Sequence, residues 1–216
     1  MKTVVKISGN LLWSTDTLDT LLNTLSKLQN NDIRIAIVPG GSIFADVIRD
    51  LQRRLNFDDS TAHWMAIKSM EVYGAFISSR SSYIESADTL ERVYDAWSRN
   101  RLPLIMPFNI IKKYDELPHS WSVTSDAITV FIAHLLKADI AILTKLVSGI
   151  IVNGSTARTI KADSVPLNQN VIDEYTSILI RRHRIPTAIV NAHYVDSLYC
   201  LLEKTSCCSP YTLIIP

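Results

Sequence analysis

Residues 4–12 read VVKISGNLL, and residues 37–52 read IVPGGSIFADVIRDLQ. Each is a short Val/Ile run that ends at glycine and leads into residues of helical period. A strand that passes through a glycine turn into an amphipathic helix is the unit from which parallel sheets are built. The first run, Thr3–Ile7, is followed by Leu18, Leu21, Leu22, Leu25 and Leu28 on one helical face. The second, Ile33–Val38, is followed by a helix from near Ile43 whose Val47, Ile48 and Leu51 are expected to face inward.

The same alternation continues along the chain. Helices are expected over Ala62–Ile77, Ala87–Arg99, Ser125–Lys137 and Asp173–Arg184. Strands are expected over Leu102–Met106, Ile140–Thr144 and Ala188–Asn191, with Tyr211–Ile215 closing the sheet as an edge strand. Without a repeat, low-complexity block or charged tail, the reading is one α/β domain over residues 1–216. It is a three-layer α/β/α sandwich with a mostly parallel central sheet.

Composition narrows the partners. The 216 residues are 47% hydrophobic and carry a formal net charge of +1, enough for a large core but too little charge to attract nucleic acid or an anionic membrane. The apolar stretch Ala127–Val152 is broken by His134, Lys137, Asp139 and Lys145, well short of a membrane span. Three cysteines, Cys200, Cys207 and Cys208, lack zinc-ligand spacing. These features predict a soluble cytoplasmic protein with reduced thiols and a small-molecule partner.

In open α/β sheets, ligands bind where the carboxyl ends of strands run into helix N-termini. Gly9, Gly40 and Gly41 fall there, and backbone amides freed of a neighbouring Cβ make a cradle for phosphate. Lys6 would place a cation beside that cradle. Neither turn matches G-x-x-x-x-G-K-[ST] or G-x-G-x-x-G, which disfavours a P-loop or a dinucleotide site. A third stretch, LPHSWSVTSDAI at 117–128, gathers His119, Ser120, Trp121, Thr124 and Asp126 before a helix. Either it lines a polar pocket, or Thr124 or Ser125 caps the helix while Asp126 favours its positive end.

Together these three stretches resemble the amino acid kinase family, whose opening K-x-G-G-S loop is similar to VVKISGNLL and whose P-G-G-G loop is similar to IVPGGSIFADVIRDLQ. HWMAIKSMEVYG at 63–74, LPHSWSVTSDAI and VNAHYVDSLYCLLE at 190–203 resemble more narrowly a short branch acting in methanofuran biosynthesis on an aminomethyl-furanyl-methyl phosphate. The resemblance implies an ATP- and magnesium-dependent small-molecule kinase with a phosphate or carboxylate acceptor. Lys6 would touch the transferring phosphoryl group, Gly9, Gly40 and Gly41 would line the transfer site, and Asp126 would orient the lysine.

LTKLVSGII at 143–151 resembles the nucleotide loop, which implies roles for Thr144, Lys145 and Gly149 in nucleotide binding. His63, His119, Ser120 and Thr124 are acceptor-side candidates, the histidines equally readable as buried or capping residues. No protein metal site is expected. The chain departs from the family pattern at Ser8, Asn10, Ser148 and Ala192. Isopentenyl phosphate and uridylate remain alternative acceptors, and a non-catalytic descendant that binds a small anion or a partner subunit is the competing class. The resemblance also implies a homo-oligomer, with Trp64, Met65, Ile67 and Met70 as a candidate surface.

Overall fold

The computed structural model describes residues 1–166, 169–205 and 209–216. Cys207 and Cys208 lie outside the described residues. In chain order the elements begin with β1 (Lys2–Ile7), α1 (Thr15–Leu28), β2 (Arg34–Pro39), α2 (Ser42–Leu55), α3 (Asp59–Ser79) and β3 (Ile84–Ala87). Next come α4 (Leu90–Ser98), β4 (Leu102–Ile105), α5 (Pro107–Tyr114), α6 (Ser125–Leu135) and β5 (Ile140–Lys145). The short strands β6 (Ile151–Val152), β7 (Ser155–Thr156) and β8 (Thr159–Lys161) precede α7 (Glu174–His183), β9 (Thr187–Asn191), α8 (Asp196–Glu203) and β10 (Tyr211–Ile215).

Among the described residues eight strands form one sheet in the order β3-β4-β2-β1-β5-β9-β10-β8. Every neighbouring pair is parallel except β9 with β10. Both faces are apolar because both are covered, as parallel sheets require. Val4, Ala36, Val38, Ala141, Leu143 and Ile189 point to the layer containing α4, α5, α6 and α7. Their odd-numbered or offset neighbours Val5, Ile7, Ile35, Ile37 and Ile142 face the layer containing α1 and α8. The five leucines of α1 are fully buried there, each contributing about 1.5–3 kcal/mol of apolar burial.

Several boundaries differ from the sequence expectation, each for a local reason. Tyr211–Ile215 is not an edge strand: β8 adds outside it, so β3 and β8 are the edges. Ala87 closes β3 rather than opening a helix, because Thr89 caps α4 by accepting from the Arg92 amide. The third helix starts three residues earlier than expected, at Asp59, where Asp58 caps it. On α2, Val47 is 49% exposed and Ile43 43% exposed, so they do not face inward. The inner stripe of α2 is Phe44, Ala45, Ile48, Leu51 and Gln52, all half-buried, and it packs on α3 at the rim of the sheet. Of the candidate surface residues on α3, Ile67 and Met70 belong to the core, while Trp64 and Met65 are half-buried. No helix among the described residues is long and apolar enough to cross a membrane.

Candidate active site

From the carboxyl end of β1 the chain runs to β2 on one side, and from that of β5 it runs towards β8 and β9 on the other, so a topological switch point lies at the carboxyl ends of β1 and β5. Successive side chains of a strand alternate between faces. Lys6 therefore follows Val4 onto the α6 side, and Lys145 follows Ala141 and Leu143 onto the same side. Asp126, in the first turn of α6, receives both: Oδ1 lies 3.0 Å from Lys6 Nζ and Oδ2 lies 2.5 Å from Lys145 Nζ. Lys6 is 5% and Asp126 3% exposed.

Burial pushes the Lys6 ammonium down to about 8; the Asp126 charge opposes this shift and the Lys145 charge adds to it. Burial would raise the Asp126 carboxyl, but the two ammonium groups outweigh it and hold the group below its ordinary value. Two cations on one carboxylate leave a surplus of one positive charge, with Lys145 half-buried at the border of the cleft. Such a surplus favours an anion opposite it.

Two glycine turns stand beside the triad, of which Gly9 and Gly41 border the open cleft and Gly40 does not. Gly40 N–H donates to the Ile7 carbonyl at 2.9 Å, joining the two loops. A Cβ at Gly40 would meet Gly9 N at 2.7 Å, and one at Gly9 would collide with the Ser42 backbone. The requirement for glycine here is close approach rather than an unusual φ. Ser42 takes φ 52° and donates its hydroxyl to the Gly9 carbonyl at 2.9 Å. Ser8 is buried and braced, its amide donating to Thr144 Oγ1 at 3.0 Å and its carbonyl accepting from Tyr73. A cleft of about 940 Å³ runs over this cradle, bordered by Lys6, Gly9, Asn10, Ser42, Ser125 and Lys145.

A second, more apolar pocket of about 530 Å³ opens beside the cleft between α2, α3 and the 117–124 loop. Gly41, Ala45 and Ser125 border both. His63, Ser120 and Thr124 line the pocket. Burial pushes His63 down to about 4, with the nearby His119 adding to the shift, so its ring is neutral. His63 Nε2 is buried without a hydrogen-bond partner among the described residues.

The structure does not bring every expected residue to the site. His119 stacks on His63, but Ser60 Oγ occupies its Nδ1 and Asp115 its Nε2, each at 2.8 Å, and it does not line the pocket. Thr144 spends its hydroxyl on the Lys6 carbonyl and the Ser8 amide, a brace between β1 and β5. Gly149 sits behind the cleft against Thr212, whose hydroxyl accepts from the Ile150 amide. Thr124 caps α6, so the capping role and the pocket-lining role coexist.

Sequence reasoning missed Asp173. Its Oδ2 accepts from Thr124 N–H, Thr124 Oγ1 and Ala127 N–H, while Oδ1 caps α7 by accepting from Thr176. One carboxylate thus ties the start of α6 to the start of α7 and fixes where Asp126 stands. Burial raises its own carboxyl, and the Asp126 charge adds to that. The D-x-x-T pattern at the head of a helix was the available signal.

Residues 1–191 match the model of the amino acid kinase family. The chain belongs to this family. Membership makes it a phosphotransferase. The chain is 29% identical over 203 residues to a [5-(aminomethyl)furan-3-yl]methyl phosphate kinase of Methanocaldococcus jannaschii, covering 93% of this chain and 92% of that one. The fold is shared with a UMP kinase from Bacillus anthracis (TM-score 0.75, 17% identity, 99% and 95% coverage). It is shared too with a UMP kinase from Ureaplasma parvum (TM-score 0.71, 18% identity, 100% and 99% coverage).

Proposed function

We propose that this amino acid kinase transfers the γ-phosphoryl group of ATP to a phosphate monoester, forming a diphosphate and ADP, and that the acceptor is an aminomethyl-furanyl-methyl phosphate. The observation that carries the reading is the buried Lys6–Asp126–Lys145 triad, whose surplus positive charge faces the glycine cradle. The acceptor's phosphate oxygen attacks the γ-phosphorus while the bond to the ADP oxygen breaks. A phosphate monoester has a second pKa near 6, so its attacking oxygen is already ionised at neutrality and no general base is required. The protein then supplies alignment and charge stabilisation, which is what phosphoryl transfer demands. Lys6 and Lys145 counter the charge that spreads over the transferring oxygens, and Asp126 holds both amines in place.

The residues fit a polyphosphate: main-chain amides at Gly9 and Gly41 and two amines border one cleft. No group of three or more His, Cys, Asp or Glu among the described residues could hold a metal ion. Magnesium would therefore enter on the nucleotide's phosphates, supplying charge neutralisation there. The acceptor pocket's apolar walls, Ile67, Met70, Val123 and Ile128, suit a flat ring better than a sugar.

Release of ADP from Mg-ATP, followed with a panel of phosphate monoesters, tests the assignment. Turnover is expected with the furan phosphate and weak or absent turnover with UMP and isopentenyl phosphate. Calorimetry showing no binding of millimolar Mg-ATP would instead favour a non-catalytic anion binder.

A pH profile gives a second test. Lys6 is charged below about pH 8 and loses its proton above it. At saturating acceptor, kcat/KM for ATP, which reports the enzyme before nucleotide binds, should fall about tenfold per unit above pH 8. The limb for kcat should lie higher, since bound polyphosphate favours the ammonium. In Lys6→Arg the limb should vanish from whatever activity remains, and a flat wild-type profile through pH 9.5 would contradict the role given to Lys6.

A further inference from the structure

The acceptor pocket has a direction. Its inner end is the wall it shares with the cleft at Gly41, Ala45 and Ser125. From there α2 leads outward, with Gly41, Ala45 and Arg49 at intervals of four residues, hence on one face and about 12 Å from first to last. At the far end of α2, Gln52 Nε2 donates to Asp59 Oδ1 at 2.9 Å, which sets Asp59 at the outer end of the pocket. Asp59 also borders the shallow surface depression beside Gln52 and Phe57. From Asp59, α3 returns towards the cleft, and His63 stands one turn further in.

Asp59 is not needed to cap its helix, because Asp58 does so by accepting from the Thr61 amide at 2.9 Å. Its Oδ2 carries no hydrogen bond among the described residues. Among the described residues the one cation lining the pocket, Arg49, is turned to other partners: it pairs with Asp46 at 3.3 Å and lies over the Trp121 ring at 4.4 Å. The outer end therefore presents an exposed carboxylate that no cation among the described residues pairs with. Next to it is the neutral His63, 5% exposed and with an unpartnered Nε2, a nitrogen that can accept from an ammonium group. An anion-binding inner end and a carboxylate at the outer end together select a bipolar acceptor.

We propose that Asp59 is the specificity residue for the acceptor's far substituent, and that it recognises a primary amine carried opposite the phosphate. This rests on the reading of the site as that of a phosphate-monoester kinase. The test compares two acceptors, the aminomethyl-furanyl-methyl phosphate and the same furan phosphate with methyl in place of aminomethyl, in wild type and Asp59→Asn. Wild type should prefer the amine by at least about tenfold in kcat/KM, mainly through KM, as expected for one hydrogen bond between charged groups. In Asp59→Asn, which keeps the Asp58 cap, the ratio should collapse towards one, and in Asp59→Lys it should invert.

Equal use of both acceptors by wild type, or an unchanged ratio in both variants, overturns the inference and leaves the kinase reading standing. Turnover of UMP with neither furan phosphate used removes the furan acceptor, and the inference with it, while the phosphate-monoester kinase remains.

Discussion

Lys6→Ala is expected to lower kcat by about 10³-fold while the protein stays folded. A single preorganised donor at a developing anion contributes about 10²–10³ in rate, and a cation on a transferring phosphoryl group contributes more. Lys6 is buried at the switch point and is held by Asp126 rather than by solvent, so water cannot replace its charge at low cost. Stability should change little. The shift of Lys6 from 10.5 to about 8 means that the fold disfavours its charged form by about 3 kcal/mol. That penalty is what remains after the attraction of Asp126, so its removal offsets the lost packing of the side chain, and Asp126 keeps Lys145 as a partner. Steady-state ADP release and thermal unfolding measure the two quantities. A kcat within tenfold of wild type in a folded Lys6→Ala protein would sink the mechanism.

The triad was partly legible before any coordinates. Period-two alternation puts Lys6 on the face of Val4, whereas the sequence reading places Lys145 in the nucleotide loop beyond a strand ending at Thr144; β5 in fact runs through Lys145, which sets it on the face of Leu143. Nothing local says that α6 will carry Asp126 to the point between them, because the contact spans 120 residues from Lys6 and 19 from Lys145. Asp173 is the same case, a capping residue whose second oxygen serves another helix.

The sheet's far edge was misread for a different reason. β8 is three residues long with only Ile160 apolar, so no hydrophobic run announces it, and β10 lost its outer neighbour in the reading. The β6–β7 hairpin was legible and went unread. Its Asn153-Gly154 turn, with φ 50° and 79°, is the pair that a two-residue hairpin favours. On α2 the error came from scoring apolarity alone: Val47 is apolar but lies off the stripe that meets α3.

Asp126→Asn should damage both activity and stability, and the two losses should separate with pH. The substitution keeps the shape and removes the charge that buried Lys6 and half-buried Lys145 share. Removing one partner from a buried ionic group costs about 3–5 kcal/mol, so unfolding at pH 7 should come markedly earlier. The sign of the pH dependence follows from Lys6. Its folded pKa already lies below the ordinary 10.5, and loss of the Asp126 charge lowers it further. The charged form is then penalised more in the folded state than in the unfolded chain. Stability should therefore rise with pH as Lys6 deprotonates, more steeply in the variant than in wild type.

The alkaline limb of kcat/KM should move to lower pH, and kcat should fall about 10²-fold because the amines repel each other out of alignment. Well below that limb the KM for ATP should not rise, since there two uncompensated cations hold a polyphosphate at least as well as before. For the same reason Mg-ATP should restore the variant's unfolding temperature more than it raises that of wild type. An Asp126→Asn protein with the wild-type unfolding temperature and an unmoved alkaline limb would mean that the carboxylate neither neutralises nor orients the two lysines.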